Sequence, residues 1–124
     1  PKGWAVSDGT LDALLTGAKS FGYKRVISIF QPHRYSRTRQ LYEDFVRVLK
    51  QSDVCIINSI YSAGEDPLEG ISSEALARDI GGIYIEKFQG IVDYIVENSR
   101  EEDLILTIGA GDIWEAGRMI LNSL

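Results

Sequence analysis

Residues 33–39, His33-Arg34-Tyr35-Ser36-Arg37-Thr38-Arg39, bring one histidine, three guanidinium groups and three hydroxyls into a stretch of seven. Guanidinium groups are permanently charged planar forks that grip carboxylate or phosphate through paired hydrogen bonds. Pro32, just before them, lacks an N–H and biases Gln31 toward an extended conformation, so a strand should stop there. If a helix is entered from Arg34 onward, Arg34 and Arg37 stand at i and i+3 and share a face. Cations at a helix N-terminus oppose its dipole and weaken the helix until an anion arrives. Spacing alone leaves two readings open. One is a carboxylate or phosphate site above a helix N-terminus. The other is a solvated basic patch, with the arginines paired to Glu43, Asp44 or Asp66.

Two further segments carry unusual chemistry. Residues 61–70 hold Gly64, Pro67 and Gly70, which shape a loop, together with Glu65 and Asp66. Those carboxylates either orient an arginine or are solvated turn residues. Gly109-Ala110-Gly111 should lie between a strand and a helix, where bare backbone approaches a ligand or a neighbouring segment closely. It is not a dinucleotide fingerprint, because position 114 is Trp rather than Gly, and no Gly-x-x-x-x-Gly-Lys-Ser/Thr phosphate loop occurs in the chain. Asp112 is expected to cap the helix that follows. Cys55 sits in the apolar run Val54-Cys55-Ile56-Ile57 and reads as a buried, inert thiol.

These loops need elements to hold them. β-branched runs at 25–30, 54–58, 82–86 and 103–108 predict four buried strands. Between them, Leu41, Phe45, Val48 and Leu49 fall on one helical face, and Ile91, Ile95 and Val96 on another. Residues 74–80 predict a shorter helix capped by Ser72 or Ser73. An opening helix carries Leu11, Leu14, Leu15 and Ala18, with Ser7 or Asp8 placed to cap it, and a closing helix runs from about 112 to 121. Alternating helices and strands require crossovers, which predict an α/β, Rossmann-like three-layer sandwich: a mainly parallel sheet with helices on both faces. Ligands in such sheets bind beyond the carboxyl ends of the strands, where residues 31–39, 59–70 and 109–112 fall.

The 124 residues suit one domain, and 44% hydrophobic with 25% charged residues is ordinary for a globular protein. A formal charge of −5 disfavours a general nucleic-acid binder, although residues 33–50 are locally basic. A single cysteine excludes internal disulfides and paired-cysteine metal frameworks, so no metal site is expected here. No membrane span and no signal peptide are read from the chain, which predicts a cytoplasmic protein.

Phe30-Gln31-Pro32-His33-Arg34-Tyr35-Ser36-Arg37-Thr38-Arg39, followed by Leu41-Tyr42-Glu43-Asp44-Phe45, resembles the signature of the alanine-adding branch of the Mur ligase family. Tyr61-Ser62-Ala63-Gly64-Glu65-Asp66-Pro67-Leu68-Glu69-Gly70 is similar to that branch's Tyr-Pro-Ala-Gly-Glu-x-Pro-Ile-x-Gly. Gly109-Ala110-Gly111-Asp112-Ile113 matches its Gly-Ala-Gly-Asp/Asn-Ile. The resemblance runs from about Tyr23 to the end. It implies that residues 1–124 form the third, amino-acid-binding domain of a ligase whose N-terminal UDP-binding and central ATP-binding domains are absent here. In that family ATP, with Mg2+, phosphorylates the carboxylate of UDP-N-acetylmuramate, and the amine of L-alanine attacks the acyl phosphate. Carried over by residue, Arg34 and Arg37 hold the alanine carboxylate with His33 beside them. Glu65, Gly109, Ala110 and Gly111 join the substrate-binding set, and Glu65 or Asp66 could meet a magnesium-bound water or the ammonium proton. No catalytic residue is expected in this domain alone, and no cofactor is expected tightly bound to it.

The chain departs from the family before its first helix, where Asp-Tyr-x-His-His-Pro is replaced by Trp4-Ala5-Val6-Ser7-Asp8-Gly9-Thr10. A competing reading keeps the arginine loop but makes the chain a free-standing, non-catalytic anion-binding module. A phosphoacceptor signalling domain also fits the size, but the acidic pair it needs at the first strand is missing.

Overall fold

The computed structural model describes residues 3–7, 15–17, 20 and 22–124, the first five as backbone. Strands β1 (Gly3–Ser7), β2 (Arg25–Phe30), β3 (Val54–Ile57), β4 (Ile83–Tyr84) and β5 (Asp103–Ile108) form one parallel sheet in the order β1-β5-β2-β3-β4. Between and after them run helices α1 (Tyr35–Gln40), α2 (Tyr42–Leu49), α3 (Ser73–Ile80), α4 (Phe88–Asn98) and α5 (Ile113–Ser123).

Because strand side chains alternate, each apolar run feeds two cores. Val26, Phe30, Cys55, Ile57, Leu104, Leu106 and Ile108 pack with Val48 and Leu49 of α2 and Leu76, Ala77 and Ile80 of α3. Ile27, Ile29, Ile56 and Ile105 pack on the opposite face with Ile91, Val92 and Ile95 of α4 and Ile113, Ala116 and Ile120 of α5. Each isoleucine fully withdrawn from water contributes about 1.5–3 kcal/mol. The two faces together make the three layers.

Neighbouring strands β2 and β5 continue to opposite faces, β2 toward α2 and β5 into α5. Their carboxyl ends, paired at Phe30 and Ile108, therefore diverge and open a crevice. At the amino ends the same two strands are fastened by a bidentate ion pair. Arg25 donates from Nε and Nη2 to the Asp103 carboxylate at 3.1 and 2.8 Å, and the Arg100 N–H adds a third bond at 2.7 Å. Burial pushes the Asp103 carboxyl up, but these donors outweigh it and hold it below the usual range.

Several expectations are met and some are corrected. Strands 25–30 and 103–108 stand as read, and Ser72 caps α3 by accepting from the Ala75 N–H at 3.1 Å. The chain opens on a strand rather than a helix. Gly3–Ser7 pairs in parallel with β5, and its short edge run carried too little alternation to declare itself. Ser7 ends that strand. Leu15 is helical and fully buried, but Asp8, Leu11, Leu14 and Ala18 lie outside the described residues. On α4, Val92 takes the buried place expected of Val96, which is 48% exposed: the buried stripe follows 91, 92 and 95, with Phe88 partly buried beside it. The helical run after β2 breaks at Leu41 into α1 and α2.

Candidate functional site

At the end of β2 the backbone does not leave the sheet at once. Gln31 N–H donates to Ile108 O at 2.9 Å, Tyr61 N–H to Pro32 O at 2.8 Å, and Arg34 N–H to Tyr61 O at 2.8 Å. His33 and Tyr61 thus form a parallel bridge beyond the last regular pair, and their rings stack with centroids 5.6 Å apart and planes 10° from parallel. Arg34 then turns the chain into α1 with φ 70° and ψ 144°, a region that nearly excludes side chains. Thr38 fixes that turn by donating both its N–H (3.1 Å) and its hydroxyl (2.7 Å) to Arg34 O.

Beyond the turn lies an open cavity of about 530 Å³ lined by His33, Arg34, Ser36, Arg37, Gln40, Leu41 and Ala110. The cavity unites His33, Arg34, Arg37 and Ala110 of the predicted set. Arg34 and Arg37 are both exposed, and among the described residues neither guanidinium stands in an ion pair. Asp44 lies 3.7 Å from Arg47 rather than on either of these arginines. Arg34 and Arg37 both line this one open cavity.

The anion at the start of α1 belongs to the protein itself. Glu65 accepts from the Ser36 hydroxyl at 2.6 Å and from the Ser36 N–H at 2.9 Å. These bonds, with a smaller contribution from the Arg34 charge, hold its carboxyl below the usual range. Glu65 thus compensates the helix end, and the arginine forks, not the helix terminus, remain for a ligand.

Residues 109–111 form the opposite wall. A Cβ on Gly109 would stand 3.0 Å from Gln31 O, and one on Gly111 would stand 2.6 Å from Gln31 Oε1 and 2.7 Å from the Tyr61 ring. Both glycines are there for close packing, and only Ala110 between them reaches the cavity. Asp112 occupies the cap position of α5, yet its carboxylate makes no capping bond. It accepts from Gln31 Nε2 at 2.7 Å, while Gln31 Oε1 takes the Ile113 N–H at 3.3 Å. The expected cap is thus supplied by a different residue, since a buried amide can answer both groups at once.

Gln31, Tyr61, Ser36, Gln40 and Leu41 escaped the sequence reading as site residues. Only Gln31 left a signal: a polar amide directly after an apolar strand and before a proline, and it is 4% exposed.

The family model for the Mur ligase glutamate ligase domain matches residues 5–111. The chain belongs to the Mur ligase family. This Mur ligase domain is 46% identical over 113 residues to the UDP-N-acetylmuramate–L-alanine ligase of Pelotomaculum thermopropionicum, covering 86% of the chain and 24% of that protein. It is 44% identical over 116 residues to the ligase of the same name from Caldanaerobacter subterraneus subsp. tengcongensis, covering 90% and 25%. The chain thus spans about a quarter of the length of these relatives. Its fold is shared with the UDP-N-acetylmuramate-alanine ligase of Thermotoga maritima at a TM-score of 0.71 and 21% identity, covering 97% of the chain and 26% of that structure.

The chain has no phosphate-loop motif, and among the described residues no three His, Cys, Asp or Glu side chains gather to hold a metal ion.

Proposed function

We propose that this chain is the C-terminal, amino-acid-binding domain of an ATP-dependent ligase that joins L-alanine to UDP-N-acetylmuramate in peptidoglycan synthesis. One observation carries the reading: Arg34 and Arg37, which among the described residues stand in no ion pair, line with His33 a single cavity beyond the carboxyl ends of β2 and β5. A small zwitterion anchored there by its carboxylate keeps its amine free. Anchoring converts a bimolecular encounter into a positioned one.

In this reading the N-terminal and central domains, with ATP and Mg2+, make the acyl phosphate of the muramoyl carboxylate. Arg34 and Arg37 fork the alanine carboxylate while His33, held flat by Tyr61, borders it. Glu65 keeps the first turn of α1 in place, and Ala110, carried by Gly109 and Gly111, closes the far wall. The neutral amine attacks the acyl carbon to form a tetrahedral intermediate; as the bond to the phosphate oxygen breaks, the nitrogen gives up one proton, which the departing phosphate carries away, leaving the amide. Substrates of this kind place the whole enzyme in the cytoplasm, and among the described residues no helix is long and apolar enough to cross a membrane.

The test uses the full-length protein. Arg34→Ala or Arg37→Ala should each cost about 2–3 kcal/mol of alanine binding, raising KM for alanine thirtyfold or more while KM for ATP is unchanged. Normal growth of a ligase-depleted strain on the doubly substituted protein would exclude the role. The isolated chain is expected to be inactive; ATP turnover by it, with both other substrates present, would contradict the division of labour.

A further inference from the structure

We infer that Gln31 is a positioning residue for the acceptor amino acid: its side-chain amide, bonded to Asp112, sets the distance between the arginine wall and the Ala110 wall of the cavity. The inference rests on the alanine-binding reading above and adds to it a residue that touches no substrate.

Gln31 belongs to the arginine side by chain connection, standing two residues before His33 and three before Arg34. It belongs to the opposite side by contact. Its N–H donates to Ile108 O at 2.9 Å, its Nε2 to Asp112 Oδ1 at 2.7 Å, and its Oε1 accepts from Ile113 N–H at 3.3 Å. Nε2 also reaches Asn58 Oδ1 at 3.3 Å, and Asn58 in turn donates to Ile85 O and Glu86 O at 2.9 and 2.8 Å. One buried amide therefore ties together the chain ends of β2, β3 and β5, and through Asn58 the end of β4.

Loop 109–111 packs against Gln31, the Tyr61 ring and Ile113. Gly109 and Gly111 bring no side chains; a Cβ on Gly111 would collide with Gln31 Oε1 at 2.6 Å, and one on Gly109 would stand tight against Gln31 O at 3.0 Å. Where Gln31 sits, the loop sits, and Ala110 takes its place in the cavity accordingly. A part-buried hydrogen bond to a carboxylate, backed by the buried amide's other bonds, is strong enough to fix that spacing. Because the bond spans the cavity's two walls and lies outside it, loosening it should weaken acceptor capture more than the chemistry that follows.

The experiment compares five forms of the full-length enzyme: wild type, Arg34→Ala as a control, Gln31→Glu, Asp112→Ala, and Gln31→Glu combined with Asp112→Asn. KM for alanine, kcat, KM for ATP and thermal unfolding are measured for each. Gln31→Glu sets a carboxylate against a carboxylate, and Asp112→Ala removes the acceptor without adding charge. Each should raise KM for alanine about tenfold, with kcat and KM for ATP within twofold of wild type. The combined form restores a donor opposite an acceptor, and its KM should return to within about threefold of wild type. An unchanged alanine KM in the folded Asp112→Ala protein overturns the inference. So does a combined form no better than Gln31→Glu, or a loss confined to kcat. A wild-type enzyme with no alanine-dependent activity would remove the underlying reading and this inference with it. Failure of the Arg34→Ala control to raise KM, with Gln31→Glu still effective, would condemn only the arginine assignment.

Discussion

Glu65 closes its carboxylate over Ser36, taking the hydroxyl at 2.6 Å and the backbone N–H at 2.9 Å, from 29 residues away. A loop beyond β3 thereby caps the short helix that carries Arg37. Glu65→Ala should speed hydrogen exchange at the Ser36 amide and raise KM for alanine, whereas Glu65→Gln, still able to accept from that N–H, should do less of both. The folded carboxyl lies below its ordinary value, so the cap is complete at neutral pH and is lost only as pH falls through the folded pKa.

Arg34 joins its charge to a backbone at φ 70°. Arg34→Gly and Arg34→Ala should lose alanine binding alike, since both remove the fork. Their stabilities should differ, with the glycine form more stable by about 1 kcal/mol because it alone adopts this conformation without strain. Coincident thermal unfolding of the two would mean the turn stores no strain.

Asp103 is 1% exposed and answers Arg25 through two bonds. Asp103→Asn should cost about 2–3 kcal/mol by leaving the guanidinium without its counter-charge. The sign of the pH effect follows from a folded pKa held below the ordinary 3.8: the stabilisation is fully present above that value and disappears as pH falls through the folded pKa. Wild type should therefore lose more stability than Asp103→Asn between about pH 5 and 2, as followed by urea unfolding.

Gly82 and Gly111 separate stability from function. A Cβ at Gly82 would lie 2.5 Å from Cys55 O, and one at Gly111 would lie 2.6 Å from Gln31 Oε1. Gly82→Ala should cost about 1–3 kcal/mol with KM for alanine unaltered in the surviving enzyme. Gly111→Ala should raise that KM, because the groups it displaces, Gln31 and Tyr61, hold the two walls of the cavity. Equal effects on alanine KM would break the distinction.

Burial pushes the Cys55 thiol up to about 12. It should resist a thiol reagent at pH 8 in the folded protein and react at once in guanidinium chloride. Rapid labelling of the native form would contradict the packing of β3.

The alternation of β-branched runs with helical stripes is local information, and it announced an α/β sandwich whose loops 31–39, 59–70 and 109–112 follow strand ends. Arg34 and Arg37 were singled out on the expectation of a shared helical face, but Arg34 stands before α1 at φ 70°, so it is the cavity and not helical spacing that brings the two together. Tertiary structure decided the partners. Val92 rather than Val96 is buried because α5, not helical period alone, chooses the stripe. Gly3–Ser7 becomes a strand because β5 offers it an edge, Tyr61 lies on His33, and Gln31 meets Asp112 from 81 residues away. Periodicity tells a side chain which face to show; only the crossovers that order the strands bring distant residues within a hydrogen bond of each other.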